Sequence, residues 1–327
     1  MLLGLAIGDA LGNTSESLNP GERGARHGEI RDYLANRHAR GHRVGLPSDD
    51  TQLAFWTLEH LLERGRIIPE QLAQKFCSRQ IFGIGTTVSA FVNKFQGGHR
   101  WYEASQRSAG NGALMRIAPV VIPHIGSPSA ALWEDTILAG ALTHNDASSI
   151  AACVAFVAIL WDLLAMSKPP PPDWWLDRYC ACARTVEGNP QLHLRTPLLA
   201  FTGPIWRLID THVRQALHQD LTVAQACDRW YSGAFLLETV PSALFILARH
   251  GNDPEEAMVR AVNDTRDNDT IAAIVGAAVG ALHGRDHLPQ RWISALTGRT
   301  SSDDDGRIYD LIRAAKEKWG PWLPESP

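Results

Sequence analysis

Apolar residues recur along this chain at helical spacing. Leu2 to Leu11 is almost wholly apolar, and Gly4, Gly8 and Gly12 return every fourth residue, so the predicted helix carries one smooth face suited to close packing. Leu53, Ala54, Trp56, Leu58, Leu61 and Leu62 mark an amphipathic helix from Gln52 to Arg64 that ends near Gly65. Further helices are predicted over 69–82, over 88–95, over the buried stretch 147–164 and over 233–249, where Pro241 demands a start or a kink. Asp253, Pro254 and the glutamates after them have the composition of a helix N-terminus. Ile271 to Leu282 is a last long apolar helix, with Gly276, Gly280 and Gly284 again four residues apart. Strand-like alternation is too scarce to build a sheet, and no long repeat is evident. The pattern predicts an all-α fold, a compact multi-helix domain spanning 1–327 as one unit.

The segments between helices read differently. Gly21 to Gly45 holds six Arg and three His with little apolar periodicity, and is expected to be a loop or mobile lid able to face an anion. His38 and His42 have the spacing of a helical metal pair, but no Cys or acid stands at zinc spacing beside them. The proline run after Ser167 is a stiff surface connector. Ser301 to Gly306 lacks the first acid and the twelfth-position Glu of a calcium loop, so a solvated turn is expected.

Composition narrows the function classes. A net charge of -4 and a pI near 6.3 argue against general nucleic-acid binding. Five Cys without a Cys-x-x-Cys pair suit neither a disulfide framework nor a zinc site, and fit reduced thiols in a cytoplasmic protein. The apolar start has no basic n-region or cleavage site and is interrupted by Asp9, so no export signal is expected. Neither of the longest apolar runs, Ile150 to Trp161 and Ile271 to Leu282, reaches the ~20 residues that span a bilayer. Both are expected in a core, and no membrane partner is expected.

Two acidic knots carry the chemistry. Asp264, Asp267 and Asp269 crowd the loop before Ile271, and carboxylates so close repel unless cations or donors meet them. Asp267, Asp269 and the Thr270 hydroxyl are oxygen donors suited to a hard ion such as Mg²⁺ or Mn²⁺. Far upstream, Ser48, Asp49, Asp50 and Thr51 form a second knot before the helix that starts at Gln52. Either knot alone is ordinary helix capping. Together they have the form of two facing half-sites around a pair of ions.

Other candidates stay open from the residues alone. Glu16 reads as a solvated loop acid. Gly110, Asn111 and Gly112, after Ser108, form either a tight turn or a cradle for phosphate. His144, before the helix at Ala147, suits a structural role as well as a ligand-binding one.

Taken together, several motifs resemble the ADP-ribosylglycohydrolase family. They are the run from Gly4 through Asp9 to Gly12 followed by Glu16, Ser48-Asp49-Asp50-Thr51, Gly110-Asn111-Gly112 with Met115-Arg116, Thr143-His144, Leu237-Glu238-Thr239 with Pro241, and Asp267-x-Asp269-Thr270 with Ile271 to Ala273. The resemblance implies an all-α fold with a central cleft for two Mg²⁺ or Mn²⁺ ions. It also implies hydrolysis of the N-glycosidic bond between ADP-ribose and a protein side chain, arginine by preference. The implied metal ligands are Ser48, Asp49, Asp50, Asp267, Asp269 and Thr270; Glu16, Asp49 and Asp50 would share the catalytic work. Ser108 and the loop of Gly110, Asn111 and Gly112 would hold the diphosphate, and His144 would help position the nucleotide. The implied partners are an ADP-ribosylated protein as substrate, ADP-ribose as product, and a cognate ADP-ribosyltransferase or toxin. The alternatives are a hydrolase of serine-linked or other O-linked ADP-ribose, or a non-catalytic ADP-ribose-binding or toxin-neutralising protein. Where many family members have two glycines before the second knot, this chain has Thr265 and Arg266, which is expected to set a guanidinium beside the ions and bear on substrate preference.

Overall fold

A computed structural model describes residues 1–126, 129–302 and 304–320. The helices that position the candidate site are α1 (Leu2–Gly12), α2 (Pro20–His27), α3 (Asp49–Arg64), α4 (Ala147–Ala165), α5 (Leu236–His250), α6 (Pro254–Asp264) and α7 (Asn268–His283). The all-α expectation holds, with one addition: Leu192–His193 pairs antiparallel with Thr202–Gly203 in a two-stranded ladder. Strands so short give no periodic signal, because a two-residue segment is shorter than one alternation of faces.

At the centre, α1 packs along α7, and the glycines explain how near they come. A Cβ added at Gly4 would lie 2.0 Å from the Gly276 carbonyl oxygen, and one at Gly8 would lie 2.0 Å from that of Ala272. At Gly12 a Cβ would meet the Cα of Asp269 at 2.5 Å. Both small-residue stripes therefore face each other, backbone against backbone, and nearly every residue of each helix is buried.

The surrounding helices follow from local sequence. Helix α3 ends where Gly65 takes a left-handed conformation (φ 75°), and α6 starts where the Asp253 side chain accepts from Glu256 N. Helix α4 extends beyond the run visible in the sequence to 19 residues, long and apolar enough to cross a membrane, but most of it is buried inside the helical assembly against α7 and neighbouring helices. Pro241 lies inside α5, which begins at Leu236. The helix predicted over 69–82 stops at Phe76.

The segment expected as a loop or lid begins with a helix. Asn19 and Glu22 form a reciprocal capping box at the start of α2, a signal masked by the helix's strongly polar composition. Arg23 in α2 is fully buried and donates to the carbonyls of Leu18, Val262 and Thr265 at 2.8 Å each. It bolts the segment after Glu16 to the end of α6, just before the acidic loop. His38 and His42 are exposed, outside any α-helix. In the stretch 301–306, Asp303 lies outside the described residues, and Asp304 is not simply solvated: it accepts from Thr300 N (2.6 Å), Thr300 Oγ1 (2.9 Å) and Ser301 Oγ (2.8 Å).

Gly8→Ala should cost about 3 kcal/mol or more, because backbone atoms cannot yield to the new methyl. Gly24→Ala, where nothing stands within 4 Å of the added Cβ, should be neutral or stabilise by up to about 1 kcal/mol. Denaturant unfolding of the two variants checks the contrast; equal stabilities would show that α1 and α7 do not rely on glycine contact.

Candidate active site

The site grows from Asp9, a residue noticed in the sequence only as a charge interrupting an apolar helix. It is fully buried in α1, and a carboxylate there needs several donors. Ser48 supplies N–H (2.9 Å) and Oγ (2.7 Å), Thr51 supplies N–H (3.2 Å) and Oγ1 (2.5 Å), and Asn13 Nδ2 adds a fifth at 3.0 Å. The first turn of α3 is thereby fastened to α1, while the glycine contact brings the first turn of α7 to the same place.

Asp50 and Asp269 meet at this junction. Carboxylate oxygens of Asp9, Asp50 and Asp269 lie within 4.8 Å of one another. The Thr270 hydroxyl stands 3.4 Å from Asp50 Oδ2, and its backbone N–H donates to Asp269 at 2.9 Å. Asp50 Oδ1 is buried with no hydrogen-bond partner. None of these acids forms an ion pair with Arg or Lys among the described residues. With Asp9 already held by five donors, the orphaned oxygen of Asp50 and the neighbouring carboxylate of Asp269, neither with a cationic partner, fit a hard divalent cation.

Electrostatics express the same strain. Burial, reinforced by Asp9 and Asp269, pushes Asp50 well above the carboxylate range; burial and then Glu16 and Asp267 do the same for Asp269. Asp49 is driven upward by burial and by Asp9. Asp267 is raised by burial to about 6, against a hydrogen bond from Asn111 Nδ2 that favours its charged form. Glu16 stands at the exposed rim, yet partial loss of water around its carboxylate, followed by the charges of Asp267 and Asp9, raises it too.

These acids open onto a cavity of about 220 Å³. Glu16, Asp49, Asp50, Asp267, Asp269 and Thr270 line one side; Gly110, Asn111, Gly112 and His144 line another, with Gly83, Gly85, Thr86 and Thr87, which lie between the helices predicted over 69–82 and 88–95. Ser48 and Ser108 stay outside the lining. Ser48 Oγ is turned to Asp9, and Ser108 Oγ meets Thr87 Oγ1 (3.1 Å) and accepts from Gly110 N (3.2 Å).

The glycine loop offers fewer free donors than its sequence suggests. Gly110 N–H is held by Ser108 and Asn111 N–H by the Ala234 carbonyl, which leaves Gly112 N–H without an acceptor among the described residues. The Asn111 side chain faces inward, donating to Thr239 Oγ1 (3.0 Å) and to Asp267. Arg266 also departs from expectation. Its guanidinium lies over the Tyr231 ring (4.5 Å) and extends toward Asp228 (3.8 Å), outside the cavity lining, while Ser232 O accepts from both Arg266 N and Asp267 N.

Raised carboxylates give a pH signature of definite sign. A folded pKa above the unfolded value means the folded state holds more protons, so stability is greatest at low pH and falls as pH rises through the folded pKa. Chelator-treated protein should therefore lose melting temperature as pH rises from about 4, the ordinary carboxylate value, to about 7, through the Asp267 value of about 6. Saturating Mg²⁺ or Mn²⁺ should flatten that slope. A melting temperature that rises across this window in chelator would contradict the geometry.

Comparison with known proteins agrees with this architecture. The family model described as ADP-ribosylglycohydrolase matches residues 1–321. The ADP-ribosyl-[dinitrogen reductase] glycohydrolase of Rhodospirillum rubrum is 26% identical, covering 96% of this chain and 94% of its own length. ADP-ribosylarginine hydrolase Tri1 of Pseudomonas putida (strain GB-1) is 25% identical, over 90% of this chain and 72% of its own. A solved structure titled ADP-ribosylglycohydrolase-related protein complex superposes with a TM-score of 0.71 at 25% identity, covering 97% of this chain and 95% of that one. With a family match over almost its whole length and the same fold, this chain belongs to the ADP-ribosylglycohydrolase family of hydrolases.

Proposed function

We propose that this chain removes ADP-ribose from modified protein side chains, with arginine as the acceptor, in a reaction that depends on two Mg²⁺ or Mn²⁺ ions. The observation that carries the proposal is the meeting of Asp50 and Asp269, from helices far apart in the sequence, around an orphaned carboxylate oxygen at the floor of the cavity. The relative named as an ADP-ribosylarginine hydrolase supports arginine as the acceptor.

Asp49, Asp50, Asp267, Asp269 and Thr270 would hold the ions, with Asp9 and Ser48 bracing the first knot from behind. When bound, such ions supply Lewis-acid stabilisation of charge on substrate oxygens and favour deprotonation of water at neutral pH. The remaining work falls to the chain. Gly112 N–H and His144 face the side of the cavity that would take the diphosphate and ribose, fixing C1″ of the ribose near the acids. Departure of the acceptor nitrogen builds oxocarbenium character on that ribose, which the carboxylates of Asp49 and Asp267 stabilise. Glu16 at the rim, its carboxyl raised by partial burial and by the charges of Asp267 and Asp9, is suited to take a proton from the attacking water or to return one to the leaving side chain.

Parallel assays with ADP-ribosyl-arginine and ADP-ribosyl-serine substrates in Mg²⁺ test the proposal. Release from arginine should exceed release from serine, and Asp269→Ala should lower turnover at least about a hundredfold. Tight ADP-ribose binding without release from either substrate would instead mark a non-catalytic binding protein.

A further inference from the structure

His144 raises a question that its place in the cavity does not answer: which ring nitrogen carries the proton. The imidazole is almost fully buried, and its surroundings constrain the two nitrogens very differently. Nδ1 lies 2.9 Å from Thr143 Oγ1. Nε2 faces the glycine loop, where a Cβ at Gly112 would stand 3.2 Å from it and one at Gly110 3.5 Å. No protein group among the described residues bonds to Nε2, so it points at whatever enters the cavity.

The Thr143 hydroxyl decides between the tautomers, and Arg116 decides for the hydroxyl. Arg116 is fully buried and donates from Nη2 to Thr143 Oγ1 at 2.8 Å and to the Ala139 carbonyl at 2.9 Å. Guanidinium N–H groups can only donate, so Oγ1 accepts from Arg116 and turns a lone pair toward it. Thr143 is fully buried too, and among the described residues its own O–H has a single acceptor in reach, His144 Nδ1. Were Nδ1 protonated, the hydroxyl would receive two donors and leave its own proton buried and unpaired, an unfavourable arrangement. The backbone on either side is clamped, with Gln106 N donating to Thr143 O (3.2 Å) and Asn145 N donating to Gln106 O (2.8 Å).

We infer that Arg116 and Thr143 are positioning residues that lock His144 in its neutral Nε2–H tautomer, so that the cavity presents a fixed hydrogen-bond donor to an anionic or hydroxylic oxygen of the ligand. The opposite tautomer would aim a lone pair there, repelling an anionic oxygen and accepting from a hydroxyl instead of donating to it. Burial, and secondarily the Arg116 charge, push the imidazole down to about 3, so the donor is uncharged throughout the physiological range. The identity of the ligand oxygen, on the diphosphate or ribose of ADP-ribose, rests on the proposed function; the tautomer does not.

Long-range proton–nitrogen spectra of the full chain, labelled with ¹⁵N-histidine and assigned by the signal lost in His144→Gln, read the tautomer without substrate. The wild-type protein should show a protonated Nε2 and an unprotonated Nδ1 for His144, unchanged between about pH 5 and pH 8. A protonated Nδ1, or a ring that titrates in this range, would overturn the inference, and this measurement needs no variant to fold. Thr143→Val keeps the shape and leaves Arg116 bonded to Ala139; it should mix the two tautomers and weaken ADP-ribose binding about tenfold, with Thr143→Ser restoring both. An unaltered Nε2–H tautomer in folded Thr143→Val would refute the relay. If the wild-type tautomer is as inferred but ADP-ribose does not bind, the relay stands and the proposed function falls.

Discussion

Backbone contact between α1 and α7 is the constraint on which the rest depends. Gly4 and Gly8 let the two helices meet with no side chain between them, and Gly12 allows the chain to pass the Cα of Asp269. Asp9 therefore lies level with the first turn of α7, and by holding Ser48 and Thr51 it draws the first turn of α3 into the same space. The acidic site is the place where three helices are brought together by close packing, which sets the carboxylates of Asp9, Asp50 and Asp269 side by side. Repulsion among them is a cost that the packing imposes and a ligand of opposite charge would relieve.

Around that core, polar side chains divide into those that hold and those that face outward. Asn111, Arg23 and Ser48 act inward, on Asp267, on the end of α6 and on Asp9. Glu16, Gly112 N–H and the Nε2 edge of His144 are left toward the cavity. Such a division is what a preorganised site requires, since groups that must meet a ligand are fixed by others that do not. The buried guanidinium of Arg116 serves this purpose at a distance, through one hydroxyl, with Phe76 beneath it at 5.0 Å.

Much of this arrangement was legible before folding. The four-residue glycine repeats announced close helix contact, and paired hydroxyl and carboxylate clusters at two helix starts announced facing half-sites, because spacing and composition are local properties. What escaped was set by distant partners. Asp9 looked like an interruption because four of its five donors, from Ser48 and Thr51, lie near it only in space, although a lone acid inside an apolar helix face was itself a signal of buried pairing. Polar composition hid α2, and the fate of Arg266 turned on Tyr231, a neighbour 35 positions away. Ser48 and Ser108 stand where the motifs imply a metal ligand and a diphosphate holder, yet their hydroxyls bond Asp9 and the Gly110 N–H, partners that a motif does not reveal.

The central claim is that buried carboxylates from separate helices form one site for divalent cations. Calorimetric titration of chelator-treated protein with Mn²⁺ tests it most directly. The account predicts saturable binding of about two ions per chain, with at least one lost in Asp50→Asn. A wild-type protein that binds no Mn²⁺, or an Asp50→Asn variant that binds it unchanged, would contradict it.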